Sequence, residues 1–350
     1  MAMTSTYKYT PIVRAWLLTG LLMLIGQVVL GGITRLTGSG LSITTWDIIT
    51  GVVPPLNAEQ WMAAFELYKE TPQFQKINAD FSLSDFKFIY FWEYFHRLWV
   101  RLLGLIFLIP FVLFNLRKQL DTTLNRHLVL VVLLTLLTAS AGWIMVKSGL
   151  VDRPWVDAYK LTLHFVLALL VIAAMVRTIS QAYNLGTPLT VSRTPLLVVL
   201  WLLLVQMVFA GLMAGMKSGL FYPTWPDMNG ELLPAVLRDS ANWNWNNMMN
   251  YDHFLFAPAL IQFAHRILAY ILLGLTLYIF FVYIKRLASF ARKCLIASLV
   301  LVLLQVLLGI LTVLNVRGMI PLALGVGHQL VGLLYFISLF FLYDSLKKRP

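Results

Sequence analysis

The chain has 350 residues, of which 59% are hydrophobic and only 12% charged. A soluble domain carries about a quarter of its residues as charges, so a water-facing globular protein is excluded, along with disordered, collagen-like and disulfide-stapled classes. The formal net charge of +12 is dispersed in short clusters between apolar runs, without an extended basic patch or a nucleic-acid motif, so no nucleic-acid partner is expected.

Eight apolar runs are long enough to cross a hydrocarbon core, which takes about 20 helical residues. They lie near 12–34, 86–116, 126–147, 158–183, 194–216, 254–284, 292–314 and 320–344. The runs are continuous rather than alternating, which argues against a barrel, and only helices and closed barrels satisfy their backbone in lipid. The expected fold is an all-α integral membrane protein with eight transmembrane helices. The single cysteine, Cys294, falls within the seventh run and reads as a small buried hydrophobe.

The connections alternate in charge. Lys8, Arg14, Arg117, Lys118, Arg126, Arg177, Arg193, Lys285, Arg286, Arg292, Lys293, Lys347, Lys348 and Arg349 share one side with two acids, Asp121 and Asp344. The loop before the second run is mixed, with Lys69, Lys76 and Lys87 beside Asp47, Glu59, Glu66, Glu70, Asp80 and Asp85. The positive-inside rule then puts both termini in the cytoplasm and that loop outside. The segment before the first run lacks the Arg- and Ser-rich character of a mitochondrial transit peptide, so a bacterial inner membrane is expected. Within the mixed loop, Trp61, Phe65 and Tyr68 are spaced for one face of an interfacial amphipathic helix over 58–70.

The sequence repeats itself. Gln27-Val-Val-Leu-Gly-Gly32, with Ser39-Gly40-Leu41 and Thr45-Trp46, matches Gln206-Met-Val-Phe-Ala-Gly211, Ser218-Gly219-Leu220 and Thr224-Trp225 without a gap. Phe95-His96-Arg97-Leu98 in the second run matches Ala264-His265-Arg266-Ile267 in the sixth, and Leu163-His164 in the fourth matches Gly327-His328 in the eighth. Four helices separate the copies, so both have the same orientation: two parallel-repeat four-helix bundles are expected, over 1–185 and 186–350.

Each half thereby carries a histidine pair, His96 with His164 and His265 with His328. A single histidine in a membrane helix can simply bond a neighbouring helix. The same pair occurring twice, in a medium where ionisable groups are expensive, points to function. Two imidazoles at matched depth on different helices suit a macrocycle whose iron is ligated from both faces. Zinc would want three or four ligands, and only Glu93 stands near as a third. His127 falls in a basic cytoplasmic loop and His253 at the outer edge of the sixth helix, and neither is assigned to a site.

The halves differ three residues before the first histidine of each pair, where Glu93 faces Gln262. One half can then hold a permanent redox haem and the other a haem beside a group able to move protons; a purely structural pairing of Glu93 with Arg97 or Arg101 is the alternative. Arg35, Arg97, Arg266, Lys147 and Lys217 are candidate partners for haem propionates, and Lys147-Ser-Gly-Leu150 nearly duplicates Lys217-Ser-Gly-Leu220.

These residues resemble the haem A synthase family: Glu93-Tyr-Phe-His96-Arg97, Gln262-Phe-Ala-His265-Arg266, His164, His328, Gly31-Gly-Ile-Thr-Arg35-Leu-Thr-Gly-Ser-Gly-Leu41 and Met145-Val-Lys-Ser-Gly-Leu150. The absence of loop cysteines is closer to its mitochondrial and proteobacterial type. The resemblance implies oxidation of the C8 methyl of haem O to a formyl group, by way of the alcohol and the hydrated aldehyde, giving haem A for terminal oxidases. It implies haem b between His265 and His328, substrate haem O between His96 and His164 with iron as the ligated metal in both, and Glu93 as the essential acid. Haem O synthase, an electron donor and membrane lipid are the partners it suggests, with an oligomer left open. An electron-carrying multi-haem cytochrome would share the histidines but not the Glu93/Gln262 difference, and a transporter would share the repeat but not the pairs.

Overall fold

The structure, a computed structural model, describes residues 8–45, 50–151, 153–187 and 190–346. Trp46, Asp47, Lys347, Lys348 and Arg349 lie outside them. Among the described residues eight helices are long and apolar enough to cross a membrane: α1 (Pro11–Leu36), α4 (Leu83–Leu116), α5 (Thr122–Gly149), α6 (Ala158–Ala182), α7 (Thr194–Gly215), α10 (Phe256–Tyr283), α11 (Ser289–Leu314) and α12 (Leu322–Ser345). Four short helices decorate the outer connections: α2 (Ala58–Lys69), α3 (Pro72–Lys76), α8 (Ala235–Arg238) and α9 (Trp245–Met249).

The helix starts are written in local chemistry. Thr10 accepts from the Val13 amide ahead of Pro11, whose missing N–H costs nothing at a first turn. Ser82 and Asp85 cap each other's backbone at the start of α4. Asp121 and Asp157 cap α5 and α6. These caps lengthen α4 and α5 beyond their apolar runs, to Leu83 and Thr122. His127 consequently sits in the second turn of α5, half-buried, rather than in a loop. His253 is exposed in the turn that precedes α10.

With 34 residues, α4 is about 51 Å long at a rise of about 1.5 Å per residue, well beyond a bilayer core of about 30 Å. Its first turns form a post outside the spans, and α2 leans on that post. Phe65 and Tyr68 stack on Phe86 at centroid separations of 5.1 and 5.2 Å, while Trp61 meets Phe86 and Tyr90 edge-on. The amphipathic face of α2 is thus spent on protein, although spacing alone suggested the headgroup region.

Helix neighbours recur along the chain. Helix α1 packs on α4 and α5 on α6; later, α7 packs on α10 and α11 on α12. The two halves meet through α1, α6, α7 and α12. Small residues permit the closest approach, the usual device where lipid supplies no hydrophobic drive between helices. Gly211 lies over Thr162 and Gly215 over Ala158, so that a methyl group added at Gly215 would fall 2.5 Å from the Ala158 Cα and Cβ. On the other side Gly32 touches Gln329, whose Nε2 donates to the Val28 carbonyl at 2.9 Å.

The basic connections gather at one end. Lys8 pairs with Asp121, and Arg177 with the buried Asp344 at 2.5 Å, so both acids on that side are neutralised by its own cations. Arg193 lies 4.1 Å from the Tyr343 ring centroid. At the opposite end Arg153 bonds Asp157 and the Tyr251 hydroxyl, and Trp155 donates to Asp252, stitching the 150–157 connection to the segment before α10. Burial pushes the Tyr251 phenol up to about 12.

Replacing Gly215 with Val should therefore push α6 and α7 apart. We expect a loss of about 1–3 kcal/mol, typical of overpacking, read as a lower thermal unfolding midpoint of the detergent-solubilised protein.

Candidate functional site

The two histidine regions are built to the same plan from the backbone upward. Gln27 on α1 donates to the His96 carbonyl at 3.4 Å, and Gln206 on α7 donates to the His265 carbonyl at 3.0 Å. Each glutamine marks one end of its repeat, and each holds the turn that presents the histidine. The second histidine of each pair leans on the preceding helix. His164 Nδ1 lies 2.9 Å from the Thr138 carbonyl of α5, and His328 Nε2 lies 3.2 Å from Gln305 Nε2 of α11. Four residues beyond each of these partners is a glycine that makes room for the ring. A Cβ at Gly142 would come within 2.9 Å of His164 Cε1, and one at Gly309 within 2.9 Å of His328 Cε1. Thr138 with Gly142, and Gln305 with Gly309, escaped the sequence reading. Their signal was a polar residue and a glycine at one-turn spacing in otherwise apolar helices.

In the second half the rings of His265 and His328 stand 6.4 Å apart, centroid to centroid. A ligating imidazole nitrogen sits about 2 Å from its metal and roughly 1 Å from its ring centre. Two rings on opposite faces of one metal ion therefore have centroids roughly 6 Å apart. Both Nδ1 atoms are buried without a hydrogen-bond partner, and so are the amide oxygens of Gln206, Gln262 and Gln305. Buried polar atoms normally find partners, so this group of orphans marks a place that takes a polar or metal-bearing guest. Among the described residues no three of His, Cys, Asp and Glu gather as a metal-ligating group. A macrocycle that supplies its own equatorial ligands fits this donor set.

The arginines that follow the histidines serve the outer loops. Arg97 donates to the carbonyls of Ile43 and Thr45, both at 3.1 Å. Arg266 donates to Tyr222 at 3.1 Å and Thr224 at 2.9 Å, the positions that match Ile43 and Thr45 under the repeat, and to Asp227 at 2.7 Å. Both guanidinium groups thus pin the loop that roofs their half. In the second roof the Thr224 hydroxyl holds the Asp227 carboxyl below its ordinary range.

The remaining basic candidates are scattered. Arg35 reaches from α1 to the Ala214 carbonyl at the end of α7. Lys217 lies in a left-handed turn, 4.1 Å from the Trp155 ring centroid, where burial and then Arg35 pull its ammonium below the ordinary value. Lys147 is exposed in the last turn of α5, 5.4 Å from its own helix's Trp143. The two Lys-Ser-Gly-Leu segments accordingly have different backbones: Lys217 corresponds to the left-handed Gly38, not to the helical Lys147.

Glu93 and Gln262 occupy the same place with opposite polarity. Glu93 is 2% exposed. Its Oε2 accepts from Ser42 Oγ and from the Ile43 amide, both at 2.8 Å, and its Oε1 pairs with Arg97 at 2.5 Å. Gln262, 1% exposed, instead donates from Nε2 to the Tyr222 carbonyl at 3.0 Å. The first roof is held by a carboxylate that takes the N–H of residue 43; the second is held by an amide that gives to the C=O of the matching residue 222. Ser42, with Phe221 at the matching position, supplies the additional donor.

Comparison with known proteins follows the same residues. The sequence profile of the COX15-CtaA family, described as cytochrome oxidase assembly protein, matches residues 14–340. A protein of Bradyrhizobium diazoefficiens named "Heme A synthase" is 39% identical over 326 residues, 92% of this chain and 88% of its own. One of Flavobacterium psychrophilum with the same name is 38% identical over 324 residues, 90% of this chain and 92% of its own. One of Nitrosospira multiformis, also so named, is 37% identical over 345 residues, 96% of this chain and 94% of its own.

Removing each roof arginine should have unequal consequences. Arg97→Ala strands the buried Glu93 carboxylate, which costs about 3–5 kcal/mol for a broken buried pair. Arg266→Ala leaves neutral carbonyls short of a donor and should cost about 1–3 kcal/mol. Paired unfolding midpoints of the two variants check the ranking, and a larger loss in Arg266→Ala would contradict it.

Proposed function

The chain belongs to the COX15-CtaA family of cytochrome oxidase assembly proteins, and from that premise we propose that it converts haem O to haem A for terminal oxidases. The reaction is oxidation of the C8 methyl group to a formyl group, an oxidoreductase activity. The observation that carries this reading is the pair of like-built histidine sites that differ in one charge, Glu93 against Gln262. An electron carrier needs no such difference.

In this reading residues 1–185 form the substrate bundle and residues 186–350 the cofactor bundle. His265 and His328 hold haem b; the spacing of their rings and the orphaned polar atoms around them support this. Bound there, haem b supplies a one-electron redox centre. His96 and His164 hold the iron of the substrate haem O, with Gln27 bonding the His96 backbone carbonyl and the Thr138 carbonyl fixing the His164 ring. Thr138 offers a carbonyl, so His164 Nδ1 is the protonated nitrogen and Nε2 is left for the iron.

Glu93 is the acid of the substrate half. Three donors converge on its carboxylate, from Ser42, Ile43 and Arg97, an arrangement that suits the ionised form because an ionised carboxyl group only accepts. It supplies negative charge beside the reacting methyl carbon, or receives a proton at Oε2 as the Ser42 hydroxyl turns away. Arg97 balances that charge while holding the loop above it.

The basic end faces the cytoplasm of a bacterial inner membrane, with both termini on that side, and the roofs face the periplasm. Haem O synthase and an electron donor are the partners this chemistry calls for.

Incubating the purified protein with haem O, a reductant and dioxygen as the oxidant, then separating the haems by chromatography, tests the activity directly; haem O recovered unchanged would reject it. The purified protein should show a six-coordinate low-spin b-type haem that His265→Ala or His328→Ala largely abolishes and His96→Ala largely spares. Equal loss from all of them would overturn the division into halves. Glu93→Gln keeps the size and removes the charge, so haem A formation should fall by roughly 10²–10⁴, the range of general acid–base catalysis, with the b-type spectrum unchanged. A reporter active only in the cytoplasm, fused after residue 70, should be silent, and a strong signal there would reverse the orientation.

A further inference from the structure

The second half closes a ring that the first half leaves open. In the second half α7 packs on α10 and on α12, α11 packs on α12, and α10 packs on α11, so the four helices meet all the way round. In the first half α4 packs on α1, α1 on α6 and α6 on α5, but α5 and α4 barely touch. The repeat is broken at one seam, and that seam belongs to the half that carries Glu93.

The flank of α4 at the seam can be identified from its helical positions. Trp99 lies roughly 60° round the helix from His96 in one direction, at about 100° per residue, and it packs on α1, 3.0 Å from a Cβ placed on Gly26. Gly104 lies roughly 80° round in the other direction and Leu108 roughly 120°. Both therefore lie on the side of α4 away from the flank that packs on α1. A Cβ at Gly104 would meet nothing within 4 Å, and Leu108 is 43% exposed. At the position matching Gly104, the closed half has Leu273, which packs against the core. Gly104 is two turns from His96, about 12 Å further along the axis toward the basic end and therefore deeper in the hydrocarbon.

We propose that the seam between α4 and α5 seats the isoprenoid tail of the substrate and is the side opening by which its macrocycle reaches His96 and His164 from the lipid. This rests on haem O being the substrate. The chemistry is that of a long alkenyl chain: Gly104 and Leu108 give the α4 flank an apolar stretch at hydrocarbon depth, below Arg101, which stands on the same flank nearer the histidine pair. A resident cofactor is best kept by a closed ring, whereas a molecule that arrives from the bilayer and returns to it needs a gap. The broken seam is the difference between the halves that their opposite traffic requires.

The test converts the open half toward the closed one. Gly104→Leu installs the residue found at the matching position, and its side chain enters free space, so folding is preserved. Gly274→Leu, which adds the same bulk at another glycine with nothing within 4 Å, in the second half, is the control. Absorbance titration of each purified variant with haem O, and separately with tailless iron protoporphyrin, gives two Kd values, and turnover gives kcat/KM. In Gly104→Leu the Kd for haem O should rise roughly tenfold or more, the worth of about two methylene groups kept from contact, and kcat/KM should fall in step. The Kd for the tailless porphyrin and the resident b-type spectrum should stay as in the unaltered protein, and Gly274→Leu should match the unaltered protein throughout. An unchanged Kd for haem O in Gly104→Leu, equal weakening of both porphyrins, or an equal loss in Gly274→Leu overturns the proposal. If the unaltered protein binds haem O without converting it, the assigned activity fails while the titration still decides the seam.

Discussion

The hydrocarbon surrounding these helices offers no hydrogen-bond partner, so every polar group placed among them has to be satisfied from within the protein. That constraint organises the upper part of both halves. Four histidines, two glutamines beneath them, an acid or an amide beside them and an arginine after them all lie in or next to membrane-spanning helices. The glutamines and the second histidines turn to neighbouring helices, and the chain meets the demand of the acid, the amide and the arginines by folding its outer loops back over them as roofs. Arg97 and Arg266 anchor those roofs through carbonyls at matching positions, 43 and 45 in the first and 222 and 224 in the second. The loops are long because they must return to the helices before passing on.

Within that shared scaffold a single change of polarity separates the halves. A carboxylate needs donors, and the first roof presents the Ile43 amide and the Ser42 hydroxyl; an amide can donate, and the second roof presents the Tyr222 carbonyl. The substitution therefore reaches beyond one side chain. It fixes which backbone group the roof turns downward, and it pairs the arginine of one half with an acid where the other half has an amide.

The helices divide along the same lines. Where the halves meet, glycines set α6 against α7 and α1 against α12 at close range, giving a tightly packed middle that both halves share. The outer helices α4, α5, α10 and α11 take little part in that middle. The second half closes its ring and the first does not. One repeated plan thus shares a common middle and differs at one outer seam.

The eight spans, the repeat, the four histidines and the Glu93/Gln262 difference were all legible in the sequence, because each depends on local properties: length of apolar runs, charge of short loops, and recurrence of side chains at one spacing. The caps that extend α4 and α5 were present there too, as Ser82, Asp85 and Asp121. What the sequence could not decide was which groups those side chains satisfy. It offered haem propionates or acidic residues of the outer loops for Arg97 and Arg266, and which loop groups come within their reach depends on how residues 37–45 and 216–227 fold back. It suggested lipid for the apolar face of α2, but the extra length of α4 offered protein instead. It showed no sign that α4 and α5 stand apart while α10 and α11 meet, because the contact between two helices is a property of both surfaces and of the helices that space them. Local chemistry determined what each helix is and what it carries; only the tertiary structure decided what each carried group faces.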